Sequence, residues 1–529
     1  MAVNKASSIK SNMDVKDVTE FEGGLTKVGS YQNEVTLKVC FDSALAARLP
    51  NSKDDVNTGL ETIRLPRHVG SRGEFDGNLG GYDWAAHLAP KSQAPLISWI
   101  TGWFTMFGWI STTASMCFLC GTMLQAIVIF NVETYEPKLW HATLIFYAIT
   151  LLAFVMTTYA TKIFPLLEKI VLALHVGLFI VLVSVLTAKA PKHPAEFVFT
   201  TFFNYTGWDN DVIVWCIGMS SITFVFAAYD GATHLSEELQ DAQRSLPKII
   251  LASVVLNGIM GFVMLTALLF CMGDPWAALS TPTGYPILEI FRMGGSGTTV
   301  STVMICLLFF MIPLAAMNLL ASCGRVVWSI ARDHALPYSK YFAHVSLFLL
   351  ISSDSETADI HSFAQIDVTH EVPLRAMALS VGVLIALGLI NIGSTAAFNA
   401  IVSTSVLCLN ISYIIPIAMI AINRTRGLET PWGPFKLGKV GLPINLLSMA
   451  YIVFLSIWLL FPSSVPVIPS TMNYSSLIVG AMVIFSLGFW FAFGRKVHFM
   501  DVFRPIMTLV DELAVGDNFS HDVSRALIV

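Results

Sequence analysis

The sequence predicts an all-α polytopic membrane protein, and three observations carry that prediction. Of 529 residues, 55% are hydrophobic and only 13% charged, with a mean hydropathy of +0.67, whereas a soluble chain carries roughly a quarter charged residues. Charge is also unevenly placed, with 10 Lys/Arg and 12 Asp/Glu in residues 1–83 alone. From residue 97 onward, apolar stretches of bilayer length recur to the end of the chain.

Ten stretches approach the about 20 apolar residues that a helix needs to cross a bilayer: 97–130, 139–157, 163–186, 212–228, 249–272, 300–328, 376–392, 396–422, 444–460 and 477–493. The first is longer than a perpendicular crossing and contains no proline, so it predicts one tilted or projecting helix. Residues 1–80 hold no apolar core of the kind that opens a secretory signal, so insertion is expected to use the first membrane helix. Residues 1–83 are expected to be a polar, disordered cytoplasmic segment, 84–494 the transmembrane domain and 495–529 a cytoplasmic tail.

Lys and Arg in the loops set the orientation. With the N-terminus inside, Lys91, Lys162, Arg244, Lys248, Arg332, Lys340, Arg375, Arg424, Arg495 and their neighbours fall inside, and only Lys138, Lys189, Lys192 and Arg292 fall outside. Both ends are then cytoplasmic, and the sequons at Asn204 and Asn473 face outward, with Asn204 the candidate for glycosylation. A net charge of −5 and a pI near 6.2 supply no basic surface for nucleic acid.

Seven of the eight cysteines lie in apolar runs, and Cys117 with Cys120 forms a C-x-x-C that reads as helix packing rather than a metal or disulfide pair. No cofactor is expected. Thr101, Thr105, Gly108, Thr112 and Ser115 alternate at spacings of four and three, which keeps small and hydroxyl groups on one helix face. Such a face packs against another helix, lines a solute path, or does both.

The most informative stretch is Phe224-Val225-Phe226-Ala227-Ala228-Tyr229-Asp230-Gly231-Ala232-Thr233-His234. An apolar helix meets an acid, a glycine, a threonine and a histidine before it has crossed a bilayer, which predicts a membrane helix broken near residues 229–233. Backbone freed at membrane depth is tolerated only where protein or a water-filled cavity satisfies it. The plainer alternative is that the helix ends at Tyr229 and an acidic loop begins. Beyond it, Glu237, Glu238, Asp241, Arg244 and Lys248 carry both signs at helical spacing, either as a solvated face or as gate partners of Arg325 or Arg332. Lys169 and His175 sit on another apolar helix. Lys169 is either a buried cation with a gating or coupling role or a snorkelling one; His175 is a packing residue or a proton relay.

Several linked motifs then fall in one order: Asp230-Gly231-Ala232-Thr233-His234 with Glu237-Glu238 and Pro247; Ile330-Ala331-Arg332-Asp333 with Leu336-Pro337; Asn391-Ile392-Gly393-Ser394-Thr395; Gly433-Pro434-Phe435; Gly441-Leu442-Pro443-Ile444-Asn445; and Gly494-Arg495-Lys496. In these the chain, over roughly residues 80–500, resembles the fungal amino acid/choline/GABA permease group of the amino acid/polyamine/organocation superfamily. That resemblance implies a LeuT-type inverted-repeat fold of twelve helices, with a solute site at the broken first and sixth. It implies Phe226, Ala227, Ala228, Tyr229, Asp230 and Gly231 as the site wall, and Lys169 near the position where some relatives replace a sodium site with a cation.

Two departures accompany the match. Residues 1–79 stand where relatives carry their first two helices, so ten helices are expected where the family plan has twelve. Residues 345–365 lengthen the loop before Val372-Pro373-Leu374-Arg375-Ala376, and an in-frame intron read through would account for them. The expected activity is secondary transport of a small amino-group-bearing solute, namely an amino acid, GABA, choline or a polyamine, with the proton as candidate coupling ion. The alternative is a truncated, non-transporting paralogue or nutrient sensor. An enzyme is not expected, since no H-E-x-x-H or similar pair is present.

Overall fold

The computed structural model describes residues 81–90, 92–160, 163–238, 241–343, 373–428, 434–469 and 472–495. These all lie in one compact unit, Gly77–Asp517. The expected N-terminal segment, residues 345–365 and the C-terminal tail beyond 495 lie outside the described residues.

Among the described residues ten helices are long and apolar enough to cross a membrane. A short helix α1, Gly81–Leu88, precedes them. The spans are built on α2 (Ala94–Asn131), α3 (Leu139–Tyr159), α4 (Phe164–Lys189), α5 (Asp211–Val225), α6 (Ala242–Cys271), α7 (Gly297–Arg332), α8 (Leu374–Gly393), α9 (Thr395–Thr425), α10 (Gly441–Trp458) and α11 (Ser475–Phe489). The long first stretch is one unbroken helix of 38 residues, opened by a proline in its first turn, where no helical N–H is lost. α5 begins on Asn210, whose side chain accepts a hydrogen bond from the Val212 N–H and so satisfies one of the free donors of the first turn.

α2 is the centre of the bundle and packs against α1, α3, α7, α8, α9 and α11. Its approaches are close because its small residues permit them. A Cβ added at Gly121 would lie 2.7 Å from the Ala142 carbonyl oxygen of α3, and one at Gly108 would lie 2.7 Å from Leu409 of α9. Thr101, Thr105, Thr112 and Ser115 are all buried. Each donates its hydroxyl to the carbonyl four residues back at 2.7–2.8 Å. The hydroxyl stripe therefore satisfies itself within α2 and serves as a packing face, which is how membrane helices associate without a hydrophobic drive between them. Cys117 and Cys120 are free and buried in the same helix.

At one end of α2, Trp99 and Trp103 pack on α11, with Trp99 5.6 Å from Phe489 and Trp103 5.1 Å edge-on to Phe485 between ring centroids. Trp99 Nε1 donates to the Ser486 carbonyl at 3.0 Å. Tyr82 of α1 is buried beneath this layer and donates its hydroxyl to Asp333 Oδ2 at 2.9 Å beyond the end of α7. Burial and the Asp333 charge push the Tyr82 phenol well above its ordinary value, so it remains a donor.

Candidate functional site

α5 stops at Val225, and the next ten structured residues, Tyr229–Glu238, form a 3-10 helix. Between them Ala228 has a φ of 60°, a left-handed conformation that costs a residue bearing a Cβ about 1–2 kcal/mol. The sequence expectation places the break at 229–233; the chain in fact leaves α-geometry a few residues earlier, at Phe226. The turn is closed by the Phe226 N–H to the Thr223 carbonyl and the Ala227 N–H to the Phe224 carbonyl, both 3.1 Å. The Gly231 N–H closes on the Ala228 carbonyl at 3.1 Å, and the Thr233 hydroxyl donates to the Asp230 carbonyl at 2.7 Å.

Immediately after the break, buried polar side chains cluster. His234 Nε2 lies 3.6 Å from Asp230 Oδ2, and their side chains are only 8% and 13% exposed. The Trp109 ring of α2 stands edge-on to the His234 imidazole with centroids 4.9 Å apart. Gly231 sits against the same indole, since an added Cβ would meet Trp109 at 3.3 Å and the Ser322 hydroxyl of α7 at 3.8 Å. From α9, the Tyr413 ring packs 5.5 Å from Tyr229, and its hydroxyl stands beside the Asp230 carboxylate. Asp230 Oδ1, His234 Nε2, Trp109 Nε1 and the Tyr413 hydroxyl are all buried without a hydrogen-bond partner.

Buried polar groups are ordinarily paired, and each one left unmade costs about 1–3 kcal/mol. Four around one helix break make a polar site with both acceptor and donor capacity: a carboxylate accepts, and an indole N–H only donates. Among the described residues no group of His, Cys, Asp and Glu could hold a metal ion.

Other expected site residues are distributed more widely. Phe226 turns its ring toward Gly258 of α6, where an added Cβ would meet it at 3.6 Å. Ala227 and Ala228 pack on the main apolar core, and Tyr229 is 43% exposed. The side chains of Glu237 and Glu238 lie outside the described residues. Arg332 lies with its guanidinium 4.9 Å over Trp328 and 3.7 Å from Asp333. Lys169 and His175 are exposed on α4. Asn204 donates to the Trp208 carbonyl at 2.5 Å and accepts from the Thr206 hydroxyl at 2.9 Å.

The site also contains residues that sequence reasoning did not single out as such: Trp109, Ser322 and Tyr413, with His234 noted only as part of a motif. The signal for Trp109 was its place next to Gly108 in the small-residue stripe; for Tyr413 it was a polar run, Asn410, Ser412 and Tyr413, inside an apolar helix.

Among the described residues, ten helices long and apolar enough to cross a membrane, one of them broken with buried polar groups at the break, define a polytopic all-α membrane protein. Residues 69–484 match the amino acid permease family, and the chain belongs to that family. It is 31% identical to a putative amino acid/polyamine transporter of Macrophomina phaseolina, over 75% of this chain and 83% of that one. A choline transporter of Saccharomyces cerevisiae is 27% identical, over 79% of this chain and 70% of the other. Amino-acid permease 2 of Neurospora crassa is 26% identical over 78% and 72%.

Proposed function

We propose that the protein is a secondary transporter that moves a small amino-group-bearing solute, an amino acid, GABA, choline or a polyamine, by alternating access. The observation that carries this reading is that Asp230, His234, Trp109 and Tyr413, each with a buried polar atom that lacks a hydrogen-bond partner, lie together at the break after α5. Asp230 Oδ1 is suited to accept from, or neutralise, an ammonium group. The indole N–H and the phenol are suited to donate to a carboxylate or hydroxyl at the solute's other end. The aromatic rings of Trp109, Tyr229 and Tyr413 add π faces that attract organic cations. The family membership and the names of the relatives support the same solute class.

In this reading the break acts as a hinge: the left-handed Ala228 lets the 3-10 segment rock against α6 and α7, on which it packs, opening the cluster to one side of the membrane at a time. The plasma membrane is the proposed location, with the vacuolar membrane second.

Counterflow uptake of labelled choline, GABA and arginine by the purified full-length protein in liposomes tests the proposal. Saturable uptake of at least one is expected, with Asp230→Asn lowering it about 100-fold, in line with the 2–5 kcal/mol typical of a lost partner to a buried charge. Well-dispersed protein that takes up none of the three would support a non-transporting sensor or paralogue instead.

A further inference from the structure

We propose that Asp230 and His234 form one proton-binding site, and that its proton competes with the positive charge of the solute for the Asp230 carboxylate. The inference rests on reading the helix break as the solute site. On a 3-10 helix, side chains three apart eclipse, so residues four apart do not meet by default. Here they meet at 3.6 Å, both nearly buried. That separation is just too long for a hydrogen bond, and both His234 Nε2 and Asp230 Oδ1 lack a partner. A proton on the imidazole turns the gap into a charge-assisted N–H···O contact with a small movement of either side chain. Histidine is the side chain whose ordinary titration falls in the physiological range.

Among the described side chains few other charges can take that role; Glu237 and Glu238, on the same 3-10 segment, have side chains outside them. On its own segment the pair neighbours Tyr229, with Asp241 exposed just beyond the 3-10 helix. Tyr413 faces it from α9, and α2 brings Trp109 but no Asp, Glu, Lys, Arg or His between Ala94 and Asn131. α7 carries Cys323, and Arg325, which has an interaction of its own. On α6, Arg244 and Lys248 are exposed. Lys169, the sequence-based candidate for coupling, is exposed on α4. The Asp230 carboxylate is thus contested by two cations, the imidazolium and the solute ammonium. Each weakens the other by the same factor, because binding linkage is reciprocal. Solute binding therefore favours release of the proton from the pair.

Trp109 reports on this pair directly, since a protonated imidazole quenches an adjacent excited indole. The experiment titrates the fluorescence of full-length protein in detergent from pH 8 to 5 and subtracts Trp109→Phe. Wild type should lose Trp109 emission as pH falls; His234→Gln should not, and Asp230→Asn should move the midpoint to lower pH. Choline at saturating concentration should also move the wild-type midpoint to lower pH. Below the midpoint, the apparent affinity for whichever of choline, GABA or arginine is taken up should fall about tenfold per pH unit, and should be flat in His234→Gln. A flat wild-type signal, or the same titration in His234→Gln, overturns the proton site. A pH signal with a choline-independent midpoint in protein that transports choline overturns the competition alone. A pH signal with no uptake of any solute overturns the transport reading, and the competition with it, while leaving the pair as a proton site. The wild-type and Trp109→Phe comparison stands even if a variant at 230 or 234 fails to fold.

Discussion

α4 and α2 are both membrane helices, yet they solve different problems. Over its 18-residue apolar stretch α4 has a mean hydropathy of 2.7, with 11% of that stretch buried; the corresponding stretch of α2 has 1.8, with 50% buried. The more apolar helix is the one less covered by protein. Lipid tails are as apolar as leucine, so apolar side chains give a helix no reason to leave the lipid, and small residues, hydroxyls and aromatic rings decide which helix lies inside. The two expected ionisable residues of α4, Lys169 and His175, lie on its exposed surface, while uncharged α2 supplies Trp109 to the buried polar cluster.

The sharpest way to break this contrast is to add the same bulk to each helix. Gly121→Val in α2 drives a side chain into the Ala142 carbonyl and should cost about 2–4 kcal/mol, at the upper end of overpacking. Gly177→Val in α4, where nothing lies within 4 Å, should cost less than about 0.5 kcal/mol. Thermal unfolding of the two variants in the same detergent measures the difference, and equal losses would break the comparison.

Smaller effects sharpen it. Tyr82→Phe leaves Asp333 without the phenol that donates to it at 2.9 Å and should destabilise the α1 end of the bundle by about 1–2 kcal/mol, read as faster proteolysis near residue 90. Thr105→Val removes a hydroxyl whose described bond is to the carbonyl of its own helix at 2.8 Å, so its cost should stay within about 1 kcal/mol. Smallest of all, Lys169→Gln on the exposed face of α4 should leave solute uptake within about twofold of wild type; a loss of tenfold or more would return the coupling role to α4.

The ten spans and the continuity of α2 were legible because both rest on long apolar runs. The break in the helix after residue 211 was legible from Asp230, Gly231, Thr233 and His234, none of which belongs in a lipid-facing helix. Its position was less so. The chain departs from α-geometry at Phe226 and Ala228, residues with ordinary helical character, just before the 3-10 segment that packs on α6 and α7. The site itself was half legible. Asp230 and Gly231 announce themselves locally, but Trp109 and Tyr413 reach the cluster from helices more than a hundred residues away in sequence, and the local cues beside them, Gly108 for one and Asn410 with Ser412 for the other, do not say which cluster they join. Lys169 drew attention because a charge in an apolar run is conspicuous. Which face it occupies depends on neighbours that its own segment does not specify.

The central claim is that the solute binds at Asp230, in the buried cluster between α2, α7 and α9, and not at the exposed face of α4. Ligand-induced thermal stabilisation of the purified protein tests it most directly. A transported solute at about 100 times its Kd should stabilise wild type by about 2.7 kcal/mol, a shift retained in Lys169→Gln and lost in Asp230→Asn. Retention of the full shift in Asp230→Asn, or its loss in Lys169→Gln, would contradict the account.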